Sequence, residues 1–379
     1  MILFESVFWT SFFLTGYVYI LYPLIITALS FIFDRQYVRK SIEPPVSVVI
    51  TAFNEEKHIA TKIQNTLDLD YPKDKLEIIV GSDGSTDRTN EIVKSYEKHG
   101  VHLLDFKENR GKTMVQNDCV RKAANDIIVF MDAASFCDKD CLKNLVKNFA
   151  DSRVGAVAGR VEFIQSKENL TTESQGLYWK YEQNLKKAES RLGSMVGVDG
   201  PLYAIRRDVY VYLEADIISD LITPLLVIRD GHAVVYEPTA VTYEESTTRT
   251  GDELSTRRRI VTRGFSGLFR YPELFNLIKR PMIAWQILSH KILRWLVGLY
   301  FLVMLGSSII LVAQLIYLLA FYCMAGFLYL AYRGLRTRDR PRSLYAVPYY
   351  FVLVNYAALY GAMDFFRGKR VVSWKPVRG

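Results

Sequence analysis

A chain of 379 residues that is half hydrophobic and carries a formal charge of +8 has room for one large or two small domains. Its basic residues gather beside long apolar runs, so lipid is the expected partner of that charge and nucleic acid is not. Four cysteines with no Cys/His set at metal spacing exclude a disulfide scaffold and a zinc module; Cys137 and Cys141, four apart, read as two semi-buried thiols.

Residues 6–33 contain no Asp, Glu, Lys, Arg or His, enough to cross a bilayer with some tilt. No basic stretch precedes this run and no small-residue cleavage site follows, so 1–40 reads as a retained anchor, not a signal peptide. Arg35, Arg39 and Lys40 come directly after it, the loop 333–342 is basic, and so is the tail 367–378. The positive-inside rule puts all three in the cytoplasm, with the N-terminus outside and the middle domain inside.

From Pro44 the pattern changes. VSVVIT (46–51), LEIIVGSD (76–83), VHLLDF (101–106) and DIIVFMD (126–132) read as strands buried on both faces, with helical patterns at 54–68, 87–99 and 112–124 between them. That alternation predicts a parallel α/β sheet with its ligand beyond the carboxyl ends of the strands. Those ends read TAFNEE, SDGSTD and MDAAS, which brings Asp83 and Asp132 toward one crevice. Each has a structural alternative: Asp83-Gly84-Ser85 as a turn, Asn54 and Asp87 as helix caps. Capping does not by itself place acids on successive strands of one sheet. An acid at a strand end beside phosphate needs a cation, either a divalent metal at Asp132 or a base such as Lys112, in NRGKTMVQN at the start of a helix.

Beyond this half, VGVDGPLYAIRRDVY (196–210) is strand-like and interrupted by Asp199-Gly200-Pro201. Ser219-Asp220 opens a helix that returns on the strand HAVVYEP; an acid in a first turn also stabilises a helix with no further role. In DELSTRRRIVTRGF (252–265), Arg257, Arg258, Arg259 and Arg263 stand together just before the membrane, placed for lipid headgroups or for a diphosphate. Trp295–Tyr332 is an uncharged run of about forty residues, the length of a tight helical pair, expected to turn near Gly306-Ser307-Ser308. The weaker segment 344–366 reads as re-entrant or interfacial, because a full span there would carry the basic tail outside.

With these motifs in place, the chain resembles the membrane-embedded family 2 glycosyltransferases, the group of the cellulose, chitin and hyaluronan synthases. VSVVITAFNEE, VGSDGSTD, ENRGKTMVQN and the Asp132 segment occur in that family's order and spacing, and the likeness extends over essentially the whole chain. It implies an α/β domain of GT-A type (a nucleotide-diphospho-sugar transferase) plus transmembrane helices. The implied division is a membrane helix at 1–40, a cytoplasmic catalytic domain at 41–265, interface helices at 266–294 and a membrane region at 295–379. It further implies an inverting, metal-dependent hexosyltransferase in the plasma or inner membrane, multi-pass, using a nucleotide-sugar donor, usually UDP-linked. Thr51, Phe53 and Glu55 would line the nucleoside pocket, Asp83 would meet the uracil, Lys112 would lie near the donor, and Asp132 would hold Mg²⁺ or Mn²⁺. Asp220 matches the general base, which takes the acceptor hydroxyl's proton as it attacks the anomeric carbon. Asp199, Arg258, Arg259 and Arg263 are candidates for the acceptor or the diphosphate, where arginines offset the charge of the departing nucleotide.

The chain departs from the family pattern in three places. Ala134 stands where many members have a second metal-side Asp or Asn. Ser219 replaces the Glu before the base. Thr256-Arg257-Arg258-Arg259-Ile260 replaces Gln-x-x-Arg-Trp, whose tryptophan stacks on the acceptor sugar. The leading reading is addition of a β-linked sugar to a growing surface polysaccharide or oligosaccharide; the alternatives are single transfer to a lipid-linked acceptor and, supported by the three departures, an inactive nucleotide-binding homologue. No oligomeric state follows from the sequence.

Overall fold

The computed structural model describes residues 1–164, 170–246, 249–337 and 343–372. Half of the basic loop 333–342 and half of the basic tail 367–378 lie outside the described residues. The chain opens on helices α1 (Ile2–Gly16) and α2 (Tyr22–Ile32), fused through a π-helical turn at Tyr17–Leu21 into one apolar helix of 31 residues.

The sheet begins as expected. Strands β1 (Val46–Ala52), β2 (Leu76–Asp83), β3 (Val101–Phe106) and β4 (Ile127–Asp132) pair in parallel in the spatial order β3-β2-β1-β4. Helices α3 (Ile59–Leu67), α4 (Thr89–Ser95) and α5 (Lys112–Lys122) connect them. After β5 (Ser135–Cys137) and α6 (Cys141–Val146) come β6 (Val154–Ile164), α7 (Leu170–Arg191), β7 (Leu202–Arg206), α8 (Ser219–Arg229) and β8 (Ala233–Glu245). These extend the sheet to eight strands, β3-β2-β1-β4-β7-β6-β8-β5, with β7 antiparallel to both of its neighbours. The mixed sheet with flanking helices is of GT-A type.

Alternation along the central strands sends Val49, Ile79 and Phe130 into one core with Val115 of α5 and Leu225 of α8. Val48, Ile50 and Ile78 enter the other, against Ile63 of α3 and Leu145 of α6. Two expectations need correction. β3 is not buried on both faces: it is the sheet edge, and only its Val101 is buried. Asn54 does not cap a helix starting at 54: it adopts a left-handed φ of 54°, its Oδ1 accepts the Thr86 N–H at 2.8 Å, and α3 begins at Ile59.

Helix α9 (Thr250–Arg270) leaves the sheet and runs unbroken past residue 265. Helices α10 (Pro281–Gln286) and α11 (Leu293–Trp295) form, with the π turn between them, one piece that meets α12 (Val297–Ile310) at a 55° bend. Then follow α13 (Leu315–Arg336) and α14 (Ser343–Phe366). The helical pair is α12 and α13, but it does not turn at Gly306-Ser307-Ser308. Those residues stay helical, with the Ser308 hydroxyl donating back to the Leu305 carbonyl at 2.8 Å, and the break comes after Ile310. Of the two readings of 344–366, the re-entrant one does not hold, because α14 is one helix that does not double back; the interfacial one is not affected. Among the described residues, Ile2–Ile32 and Leu315–Arg336 are long and apolar enough to cross a membrane, and the bent pair at 281–310 passes the same test as a unit.

α14 lies against α9 at a glycine. A Cβ on Gly361 would come within 2.7 Å of the Arg258 carbonyl oxygen and 2.9 Å of Val261 Cβ, so the two helices touch backbone to backbone. Gly361→Val is expected to force them apart and destabilise the fold by about 1–3 kcal/mol. Gly326→Ala, which meets nothing within 4 Å, is expected to leave stability unchanged. Thermal unfolding in detergent followed by size-exclusion compares the two, and equal midpoints would refute the close crossing.

Candidate active site

The site is built on the first turn of α5. Asp83, at the end of β2, is buried and accepts the backbone N–H groups of Arg110 at 2.7 Å and Gly111 at 2.9 Å. Burial raises its carboxyl pKa, and the two N–H donors with the Arg110 charge pull in the other direction. Gly111 has φ +91°, and a Cβ there would collide with the Val372 carbonyl oxygen, so glycine is required on both counts. The next residue, Lys112, is the first of α5 and forms an ion pair with Oδ1 of Asp132, the last residue of β4.

A second lacing brings in α8. Thr113 Oγ1 donates to the Ile217 carbonyl at 2.8 Å, Ser219 Oγ to Gln116 Oε1 at 2.6 Å, and Asn117 Nδ2 to the Leu213 carbonyl at 2.7 Å. Successive residues of α5 thus hold the chain that leads into α8, and Asp220 arrives in the first turn of that helix. Ser219, a departure from the family pattern, has a place here as the donor to Gln116. Gly200 floors the junction: a Cβ there would lie 3.0 Å from Lys112 Nζ, 3.2 Å from Asp220 Oδ2 and 3.9 Å from Asp132 Oδ2. Any side chain at 200 would occupy the space these three groups share.

That space opens into a cavity of about 700 Å³, the size of a small-molecule site. Lys112, Asp132, Asp199, Asp220, Arg259 and Arg263 all line it. Burial pushes the Asp220 pKa up; Lys112 and Arg263 draw it down, and Asp199 and Asp132 push it up again. Asp199 is ion-paired with Lys186 of α7. Arg263 donates to Thr113 Oγ1 at 2.9 Å and to the Ile217 carbonyl at 2.7 Å, so it braces the lacing as well as lining the cavity. Burial lowers the pKa of Arg259 and Arg263, both against the attraction of Asp220, and both stay cationic at neutral pH.

Arg258 is a correction. It points out of the site and grips Asp364 of α14 with two hydrogen bonds, 2.6 and 2.7 Å. On a helix it stands about 100° from Arg259, whereas Arg263, four residues on, shares the Arg259 face. Thr51, Phe53, Glu55 and Asp83 occupy the adjoining strand ends and do not line the cavity. Thr51 is the sheet neighbour of Asp132 and Gly81, and its buried Oγ1 has no hydrogen-bond partner. Glu55 is buried, 2.9 Å from the His58 ring nitrogen. Sequence reasoning missed Lys186, Glu182, Lys291 and Arg294, which line the far part of the cavity. Charges spaced along a helix carry no signal that separates such a wall from a solvated face. The Asp-Gly-Pro break did mark Gly200.

The sequence model of the family described as "Glycosyl transferase family 2" matches residues 47–213. The match runs from β1 to just beyond β7, and over that part the chain is similar to glycosyl transferase family 2. The poly-beta-1,6-N-acetyl-D-glucosamine synthase of Staphylococcus aureus (strain COL) is 28% identical over 203 residues, 52% of this chain and 48% of that protein. The synthase of the same name from Staphylococcus epidermidis is 23% identical over 278 residues, 72% of this chain and 66% of that one. The chain thus spans about half the length of the Staphylococcus aureus relative it matches. A mannosyltransferase from Pyrobaculum calidifontis, solved with GDP-Man and Mn²⁺, superposes with a TM-score of 0.73 at 19% identity, over 97% of this chain and 100% of that one. The family 2 domain here therefore shares that fold, membrane-proximal helices included.

The Asp83 contacts set a test of how the family 2 domain is assembled. Asp83→Ala strands two backbone N–H groups and is expected to destabilise the domain by about 1–3 kcal/mol. Asp83→Asn keeps one acceptor oxygen and is expected to fall between. Thermal unfolding of the purified full chain measures both, and an Asp83→Ala midpoint equal to wild type would show that the loop before α5 is held by other contacts.

Proposed function

We propose that the chain transfers a sugar, with inversion, from a nucleotide-sugar donor to a β-linked surface saccharide or a lipid-linked acceptor at the cytoplasmic side of a membrane. The observation that carries this is the convergence of Lys112, Asp132 and Asp220 on the space beside Gly200. The donor's diphosphate lies at the N-terminus of α5, where backbone N–H groups, Lys112, Arg259 and Arg263 receive its charge. Thr51, Phe53, Glu55 and Asp83 then flank the nucleoside on the adjoining strand ends. Asp220 accepts the proton of the attacking hydroxyl as that oxygen bonds to the anomeric carbon, and the bond to the diphosphate breaks with its electron pair leaving on the nucleotide. Similarity to poly-beta-1,6-N-acetyl-D-glucosamine synthases supports an amino-sugar donor and a saccharide acceptor, with UDP the expected nucleotide.

Metal dependence rests on the donor set. Among the described residues no three His, Cys, Asp or Glu side chains stand close enough to hold an ion by themselves. Asp132 offers one carboxylate, an oxygen ligand of the kind Mg²⁺ and Mn²⁺ prefer, beside the place for a diphosphate; with the donor's oxygens and water this fits a divalent ion. Such an ion, when bound, neutralises charge on the diphosphate. Mn²⁺ accompanies GDP-Man in the Pyrobaculum enzyme, which supports the same arrangement here.

Asp220→Asn is expected to lower turnover by about 10²–10⁴ while leaving donor affinity unchanged. The base works deprotonated, so its raised pKa moves the acid limb of kcat above the ordinary Asp range, and activity falls as pH drops through it. Nucleotide release measured across pH tests both points: the limb should vanish in Asp220→Asn, and a mutant with wild-type turnover would remove Asp220 from the reaction. A one-carboxylate ion site also requires Mn²⁺ and UDP to tighten each other by the same factor. Calorimetry of UDP binding with and without Mn²⁺ is expected to show this coupling in wild type and its loss in Asp132→Ala. Equal UDP affinity in both conditions would mean that Lys112 and the arginines alone carry the diphosphate.

A further inference from the structure

The far end of the cavity is built from groups that donor transfer leaves unused. Tyr19 comes from the N-terminal apolar helix, Glu182 from α7, Lys291 and Arg294 from the π turn and α11, and Asn355 from α14. The acids here already have partners. Glu182 is ion-paired with Arg294 and lies 3.2 Å from His290 Nε2; Glu189 lies 2.7 Å from His290 Nδ1 and accepts the Tyr22 hydroxyl at 2.6 Å; Asp199 is paired with Lys186. Both ring nitrogens of His290 therefore face carboxylates. Arg294 and Lys186 thus each hold an acid in direct contact, whereas Lys291 has no direct ion pair among the described residues.

Lys291 makes no hydrogen bond or ion pair within the described residues, yet it lines the cavity. Its Cε and the Asp220 backbone oxygen each lie 3.8 Å from the point a Cβ on Gly197 would occupy, so it stands beside the first turn of α8. Arg294 is 8% exposed, is set among the rings of Tyr19, Tyr178 and Tyr181 at 5.1–5.6 Å, and has a buried Nη2 with no hydrogen-bond partner. Lys291 feels Glu182 and Glu189 only through space, and a buried arginine nitrogen left unbonded is costly. An anion at this point partners both.

We propose that Lys291 and Arg294 form a second anion subsite, which seats the phosphate of an amphiphilic, lipid-linked acceptor. This rests on the donor-transfer reading above and names its acceptor class. The source of the phosphate follows from position. Tyr19 of the apolar N-terminal helix and Asn355 of α14 line the same cavity as Lys291, whereas the donor's diphosphate is assigned to Lys112, Arg259 and Arg263. An acceptor held here has its charged end on Lys291 and its reactive end facing Asp220.

The full chain in detergent would be titrated with farnesyl phosphate, farnesol and inorganic phosphate, and separately with UDP. Farnesyl phosphate is expected to bind at least roughly tenfold more tightly than farnesol, and Lys291→Gln to remove that preference while UDP affinity stays within about twofold. Lys291→Arg, which keeps the charge, is expected to retain the preference and guards against a folding defect. Equal binding of farnesol and farnesyl phosphate, or a preference that survives Lys291→Gln, would overturn the subsite. Inorganic phosphate competing as well as farnesyl phosphate would overturn the lipid source. Failure of UDP to bind wild type would instead count against the donor reading, and the farnesyl phosphate arm reads independently of it.

Discussion

Three carboxylates, Asp132, Asp199 and Asp220, line one cavity of about 700 Å³, and like charges so placed repel strongly away from water. The surroundings are arranged around that repulsion. Asp132 is matched by Lys112 and Asp199 by Lys186, and Asp220 is left as the acid whose charge is least compensated. The asymmetry divides the site: two acids are anchored by ion pairs, and the third has none among the described residues. The lacing between α5 and residues 213–219 holds the three at fixed separation without adding another formal charge to the cavity.

The sheet and the strand-end acids were legible because burial on both faces leaves a plain record of β-branched runs, each closed by a polar break. Asp132 could be found this way and Gly200 stood out within Asp-Gly-Pro, whereas Asp220, at a helix start, was singled out only by the family resemblance. The arginine cluster was only half legible. Its sequence puts four arginines together, and the helical repeat, applied residue by residue, separates Arg259 and Arg263 from Arg258. The missed groups, Lys186, Lys291 and Arg294, are helical charges whose meaning depends on which wall the helix faces. Nothing within their own segments states that. β3 was misjudged for a related reason: a strand's sequence shows its β propensity but not whether a second strand lies beyond it.

The departures from the family pattern also look different in three dimensions. Ser219 is bonded into α5, so the missing glutamate leaves no gap. Ile260 lines the cavity where the motif has tryptophan, and Trp295 of α11 lines it too, packed on Gly264 and edge-on to Phe265 at 4.9 Å. Trp179 adds a further indole. An aromatic surface is thus available to a sugar ring, supplied by the helices next to the membrane instead of by α9.

The grip of Arg258 on Asp364 joins α9 to α14, and α14 in turn packs closely on the apolar α13, where a Cβ on Gly334 would stand 3.0 Å from Tyr349 Cβ. The helix that presents Arg259 and Arg263 to the cavity is therefore mechanically continuous with one sized to the hydrocarbon layer. A bilayer thicker or thinner than α13 is accommodated by tilt. Tilt of α13 would pass through that grip and change the angle at which the two arginines face the cavity.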